Sequence, residues 1–445
     1  DTDPLQSGDF GFEVFTDSPI EVDFLEIYGE PVEAFVPWLT TGGPQGGLGY
    51  DIRMRRDDSN SMLVTDANAG IFKSSNGGAS WIATNEGIDA RTGATGDLIP
   101  VFSLTIDPNN PATIWVGTAG IRGIFRSLDG GNTWERKNNG VVEATGITFR
   151  GIAIEPGNSD VMYAAAEIDS SVWNGEPSQG REFDMTAGVV YKSVDAGDNW
   201  NAVWRGNNLA RYILINPDAT DTIYVSTGIF DREAANSDPN TPLRTVPGGE
   251  GVIKSTDAGA SWQNINNGID NLYVGSLVLG PADPDRLLAG VGNSQYFANS
   301  GVYYSTNGGQ SWNQGAGIAD IITAVEFSES DSGVAYAGSV DAIYKSQDDG
   351  QNWARLGEVD WGPEGIRAGF PSDFQLDFEN SNRLFVNNYA GGNYLSLDGG
   401  ETWSTASQGY TGAMVRDVIV DPDNPGHVLA ASRSGLFETP DGGTT

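Results

Sequence analysis

Apolar and polar residues alternate along this chain in short runs, each closed by a cluster of Gly, Pro, Asn or Asp. The first regular unit sets the pattern. Tyr50-Asp-Ile-Arg-Met54 reads as a strand with one buried face, Arg56-Asp-Asp-Ser-Asn60 as a turn, and Ser61-Met-Leu-Val-Thr65 as a second strand. Ala69-Gly-Ile-Phe-Lys73 makes a third strand and Trp81-Ile-Ala-Thr84 a fourth. The next unit repeats this with Phe102 to Ile106, the turn Asp107-Pro-Asn-Asn-Pro111, Thr113 to Val116 and Gly123 to Arg126. The first turn returns as Glu155-Pro-Gly-Asn-Ser, Asn216-Pro-Asp-Ala-Thr, Gly280-Pro-Ala-Asp-Pro, Ser328-Glu-Ser-Asp-Ser, Phe378-Glu-Asn-Ser-Asn and Asp421-Pro-Asp-Asn-Pro425.

Between third and fourth strands stands Ser127-Leu-Asp129-Gly-Gly131-Asn-Thr133-Trp134. Variants begin at Ser74, Ser193, Ser255, Ser305, Ser346, Ser396 and Thr439, with starts separated by 53, 66, 62, 50, 41, 50 and 43 residues. An Asp followed by small residues is turn chemistry: its carboxylate accepts backbone N–H groups, and Gly takes the positive φ that the turn needs. Asp129, Asp195, Asp257, Asp348, Asp398 and Asp441 therefore read as structural caps, because the same role recurs in every unit.

Four antiparallel strands per unit at this period predict an all-β chain folded as a β-propeller. Eight units predict eight blades. The eighth, from Met414 through Gly435-Leu-Phe-Glu438, lacks a fourth strand, which Phe35 to Thr40 is expected to supply and so close the ring. Seven blades, with the last unit belonging to a following domain, is the alternative. Residues 1–32 then form an N-terminal extension and 33–445 the propeller. The box pattern resembles the Asp-box (bacterial neuraminidase) repeat family, which includes sialidases, sortilin-type receptors, photosystem assembly factors and xyloglucan-degrading endoglucanases. That breadth implies a fold and leaves the reaction open.

Composition narrows the function. Against 60 Asp and Glu stand 24 Lys and Arg, a formal charge of −36, which repels nucleic acid and anionic membranes. No run of apolar residues is long enough for a transmembrane helix. Cysteine is absent and His427 is the single histidine, which removes thiol catalysis, disulfides and a His-based metal site. No cofactor is predicted; the oxygen-rich acidic loops leave Ca²⁺ open, without a calcium-binding spacing to support it. The opening Asp1-Thr-Asp-Pro, without an initiator Met, predicts an exported product whose signal has been removed, placed outside the cell or in the periplasm.

In a blade, the second-to-third loops and the links between blades share the face opposite the boxes. Binding on a rigid scaffold resides in such variable loops. Long segments fall there: 167–187, with Asp169, Trp173 and Arg181; 228–249, with Asp231 and Arg232; 292–300, with Tyr296 and Phe297; and 357–371, with Asp360, Trp361 and Arg367. Aromatic rings beside carboxylates and amides suit a neutral sugar, whereas the plainer reading has the rings pin the loops to the scaffold.

One stretch is more specific. Leu63-Val-Thr-Asp66-Ala-Asn-Ala-Gly70-Ile-Phe-Lys73 is similar to the Thr-Asp-x-Gly-Gly-x-Tyr-Arg segment of the xyloglucan-degrading endoglucanases, with one Gly replaced and one residue added. That resemblance implies a general-base role for Asp66 in an inverting glycosidase. A second carboxyl about 6.5–9.5 Å away would be the acid. In that family it comes from a second propeller; here Glu167, Asp169, Asp231 and Asp360 are the local candidates. Alternatively, Asp66 caps a turn with Asn68. A sialidase would need a cluster of arginines, for which Arg53, Arg150, Arg211 and Arg416 are placed, but Phe149-Arg-Gly-Ile lacks that family's Arg-Ile-Pro element. The rival to a polysaccharide-acting protein is a non-catalytic surface module that binds another protein.

Overall fold

A computed structural model describes residues 46–441, apart from 94, 95, 97, 170–185, 207, 230–249, 294, 295, 341, 358–360, 364–369, 389, 390, 411–414, 423, 433 and 434. Every regular element among these residues is a β-strand, and the strands form eight antiparallel sheets. Seven sheets have four strands in sequence order, spanning 49–83, 101–136, 147–206, 210–264, 274–314, 322–356 and 371–405; they are called blades 1 to 7. The eighth, at 415–439, has three. Eight sheets thus stand where eight boxes were expected.

The first strand of each blade packs on the first strand of the next, and that of blade 7 packs on that of blade 1. Blades 1 and 7 share a core of Ile52, Val64, Phe72 and Trp81 with Phe385 and Tyr410. Blades 1 and 2 share an equivalent one built from Leu63, Ile71, Leu104 and Trp134. Of the two closures expected from the sequence, these contacts describe a ring of seven, with the eighth sheet additional to it. The N-terminal extension and the Phe35 to Thr40 strand lie outside the described residues.

The boxes fold as the residues demand. Asp129 Oδ1 accepts the N–H groups of Asn132 and Thr133 at 3.0 Å, its Oδ2 accepts the Thr133 hydroxyl at 2.7 Å, and Ser127 Oγ accepts the Gly131 N–H at 2.8 Å. Asp195, Asp257, Asp348 and Asp398 each accept the N–H four residues on at 2.8–2.9 Å. Asp441 of the partial box accepts the Thr439 hydroxyl. In the first and fifth boxes Asn76 and Asn307 do the same with Oδ1. An uncharged amide suffices, so the box needs an acceptor and not a charge.

Blades are joined by a second repeated contact. The N–H of the box Trp donates across the seam to a carbonyl just past the preceding blade's fourth strand: Trp134 to Glu86, Trp200 to Asn139, Trp312 to Asn267, Trp353 to Ala316 and Trp81 to Gln408, at 2.7–2.9 Å. The acceptor is followed each time by a glycine with positive φ, namely Gly87, Gly140, Gly268, Gly317 and Gly409. A Cβ at these glycines would meet the Trp carbonyl oxygen at 2.0–2.3 Å. The seam between blades 7 and 1 therefore uses the same joint as four of the other six seams.

That joint is testable. Gly409→Ala adds a backbone clash to the cost of positive φ and is expected to destabilise the fold by about 3 kcal/mol or more. Gly157→Ala has the same sign of φ but open space around it and is expected to cost about 1 kcal/mol. Equal losses in chemical denaturation would show that the close approach is immaterial.

Candidate functional site

Every first strand carries one extra residue near its start. Blade 1 pairs Gly49 with Asp66 but Ile52 with Val64, and blade 2 pairs Val101 with Thr118 but Ser103 with Gly117. Shifts of the same kind fall at Arg150, at Arg211 and Tyr212, at Thr323 and at Ser372. Such β-bulges re-aim side chains and strand backbone N–H groups. The freed donors find side chains instead: Ile52 N–H donates to Asp373, Leu104 N–H to Asp51 and Val325 N–H to Ser276, at 2.8–3.0 Å.

At the loop end the bulged residues of three consecutive blades stack. The rings of Tyr50 and Phe102 lie 3.8 Å apart at 26°, and the Arg150 guanidinium sits 4.9 Å from the Phe102 centroid. Glu167 accepts from Arg150 Nε at 2.7 Å, and this ion pair is buried. Beside the stack is a cavity of about 290 Å³ lined by Asn68, Thr92, Phe102, Thr148, Glu167 and Asp169. It opens among second-to-third loops and blade links, on the face opposite the boxes. Asp169 is half-buried in its wall. The sequence singled out Asp169 and Glu167 but not Phe102, whose signal was an aromatic at the place of Tyr50 in the next first strand, nor Thr148, which left no such signal.

Asp66 lies directly behind Ala67 and Asn68 of this wall. Its carboxylate is fully buried and accepts four hydrogen bonds at 2.8 Å: Oδ1 from the N–H groups of Asn68 and Ala69, Oδ2 from Leu48 N–H and the Tyr410 hydroxyl. These donors match the four lone-pair sites of a carboxylate. Asp66 thus caps the turn with Asn68, the alternative that the sequence left open. The same register position holds Thr118, Thr227, Ser339 and Asn388 in other blades, and Thr118, Thr227 and Ser339 bond within their own hairpins. Burial lifts Asp66 to about 6, against which its hydrogen bonds pull down.

The remaining sequence candidates divide. Trp361, expected to face a ligand, is buried against Tyr394 and Trp403, with centroids 5.5 and 5.4 Å away. It pins its loop between blades 6 and 7, so the ligand role gives way to the plainer reading. Phe297 is exposed on a long hairpin of blade 5 formed by Leu287–Asn293 and Tyr296–Ser305; the Tyr296 side chain lies outside the described residues. So do Trp173, Arg181, Asp231, Arg232, Asp360 and Arg367. Among the described residues no three His, Asp or Glu side chains converge to hold a metal ion.

A second constellation lies among the first strands toward the opposite face. Arg53 is paired with Asp51 and Asp373. These three, with Arg211, Tyr212 and Glu326, form one electrostatic cluster. Burial is the main cause of the upward shifts of Asp51 to about 6 and Glu326 to about 8; Arg53 opposes both, and Asp373 adds to both.

The BNR/Asp-box repeat family matches at residues 303–314 and 394–405. The chain is 25% identical over 319 residues to the xyloglucanase Xgh74A of Acetivibrio thermocellus, covering 60% of this chain and 33% of that protein. It is 28% identical over 262 residues to a xyloglucanase of Hypocrea jecorina, covering 55% and 29%. The chain spans about a third of the length of the curated relatives it matches. Among solved structures, the GH74 xyloglucanase of Xanthomonas campestris superposes with a TM-score of 0.63 at 14% identity over 90% of this chain and 68% of that one. The Niastella koreensis GH74 enzyme gives 0.62 at 17% identity, over 90% and 66%. These likenesses bear out the β-propeller fold.

The buried carboxyls set a pH dependence. Asp51, Asp66 and Glu326 titrate above their ordinary values of 3.8, 3.8 and 4.5. These three groups therefore hold more protons in the folded chain than in the unfolded one between about pH 4 and pH 8, and the stability they contribute falls as pH rises through that window. The melting temperature at constant ionic strength is expected to be several degrees higher at pH 5 than at pH 8. Glu326→Gln is expected to remove the slope between pH 6.5 and 8, and a slope that persists in it would move the cause to the overall negative charge.

Proposed function

On the premise that this chain is an Asp-box repeat β-propeller similar to xyloglucanases, we propose that it binds a neutral polysaccharide of the β-glucan class along its loop face, at an extracellular location. The observation that carries this is the cavity beside the Tyr50–Phe102–Arg150 stack, where Asn68, Thr92, Thr148 and Asp169 surround an aromatic ring. Sugars present both C–H faces and hydroxyls, and such a wall offers an apolar surface with few, placed polar groups. The Arg150–Glu167 pair holds the stack from behind, because a buried ion pair with good geometry resists rearrangement. Phe297 on the protruding hairpin of blade 5 is a second contact for an extended chain on the same face.

Hydrolysis is the second reading, and one observation favours it. Asp66 stands behind the cavity wall with its carboxyl raised to about 6 by burial, and a raised carboxyl suits proton transfer near neutral pH. To act as the general base it must exchange one of its four donors for a water. The Tyr410 hydroxyl is the side-chain donor among them, so it is the one that a rotamer change releases. Asp169, half-buried in the same wall, is the carboxyl that we assign as its partner. Without that exchange Asp66 is a positioning residue, holding Ala67 and Asn68 in the wall.

Calorimetric titration with xyloglucan and other soluble neutral β-glucans tests the binding. The wild type is expected to bind at least one of them. Asn68→Ala and Asp169→Asn are each expected to weaken it about tenfold, or about 1.4 kcal/mol. Absence of binding to every neutral polysaccharide would reject the reading in favour of a protein partner. A reducing-end assay on the same substrates decides on hydrolysis. Release by the wild type that is lost in a folded Asp66→Asn variant establishes the chemistry, and no release leaves binding alone.

A further inference from the structure

A second cavity lies away from the loop face. It has a volume of about 390 Å³, within the range of small-molecule sites. Residues of all seven blades meet there, among them Arg53 and Arg56 of blade 1, Pro108 and Pro111 at the first turn of blade 2, Tyr212 of blade 4, Glu326 of blade 6, and Phe378 of blade 7. Pro108, Pro111 and Phe378 belong to first turns, so the cavity opens on the box side of the ring.

The charges of this cavity do not cancel. Arg53 is taken by Asp51 and Asp373, and Arg56 by Glu329 through two hydrogen bonds. No hydrogen bond or ion pair from any described residue reaches the Glu326 carboxylate. The Tyr212 hydroxyl is likewise without a protein partner among the described residues, and its ring lines the same space. The Glu326 carboxylate is therefore left without a partner of its own, in a cavity that also takes in Tyr212 with its idle hydroxyl, with apolar walls from Ile215, Leu279 and the two prolines. Burial holds Glu326 protonated to about pH 8 in the free protein, with Asp373 and Glu329 adding to the rise and Arg53 and Arg56 opposing it. A divalent metal needs three or more converging ligands, which the described residues do not provide. An ammonium needs less: one carboxylate, one hydroxyl oxygen and a ring face.

We propose that this axial cavity binds a small organic cation, with a primary or secondary ammonium seated between Glu326 and Tyr212 and its carbon chain against the apolar walls. The ammonium donates to the Glu326 carboxylate, and Glu326 gives up its proton to solvent when the cation enters. Binding thus releases a proton and strengthens with pH. The site is separate from the polysaccharide cavity and does not depend on that reading.

Isothermal titration of the intact chain with putrescine at fixed ionic strength tests this. Saturable binding is expected at pH 8.5, with affinity falling by about tenfold or more at pH 6.5, as linkage to a carboxyl ionising near 8 requires. The neutral 1,4-butanediol is expected not to bind. Glu326→Gln, which keeps the shape of the neutral side chain, is expected to fold and to lose binding, whereas Glu401→Gln removes an exposed charge elsewhere and is expected to retain it. Equal binding by the wild type and Glu326→Gln would reduce the effect to general attraction by an acidic protein and overturn the site. Absence of saturable heat would also overturn it. So would calcium chloride binding that requires Glu326 while putrescine does not bind, since the site would then belong to a metal ion.

Discussion

A backbone hydrogen bond found, among the described residues, across five of the seven seams, tied to a glycine that lets it form, is the contact on which the ring depends. The box Trp presents its N–H to a carbonyl of the blade before it, and the neighbouring glycine has no Cβ to keep the two backbones apart. The Trp ring then fills the space between the blades, so one residue ends a turn, starts a strand and joins two sheets. Because the contact is between backbones, it tolerates wide variation in the rest of each blade. Blades 3 and 4, which span 60 and 55 residues, and blades 1, 6 and 7, which span 35 each, belong to the same ring.

The bulges explain why both cavities lie where they do. A regular first strand would pair fully with its neighbour and offer the axis only alternate side chains. One extra residue per strand turns Tyr50, Phe102 and Arg150 toward one another at the loop end. It also leaves N–H groups that recruit Asp51 and Asp373 into the middle of the ring. Carboxylates held there by backbone donors and arginines are costly to bury. Their raised proton affinity is the physical trace of that cost.

Most of the architecture was legible in the chain, since turn chemistry is local. Ser127, Asp129 and Gly131 contact one another within four residues, and each repeat of the pattern reports the same turn. The site was less legible because its determinants are distant or leave no pattern. Asp66 reads as an exposed loop carboxylate until Tyr410, 344 residues away, closes over it. A bulge adds one residue to a strand without altering its composition, so Phe102 looked like an ordinary core residue. Trp361 stood in a long polar loop, and only the packing of Tyr394 and Trp403 around it shows that it anchors the loop. The Asn85-Glu-Gly87, Asn138-Asn-Gly140 and Asn266-Asn-Gly268 repeats were as regular as the boxes but had no side-chain chemistry to attract notice.

Each of the seven blades is made of consecutive strands, and the seam between the last and the first is the joint seen at four other seams. Gly46 N–H donates to the Tyr410 carbonyl at 2.7 Å, so the two ends of the ring's chain already touch. The fold therefore has no privileged starting blade. A covalent link between these ends, with a new opening cut in any exposed first turn, would keep every joint in place. Circular permutation reorders the gene of such a ring and leaves its geometry unchanged.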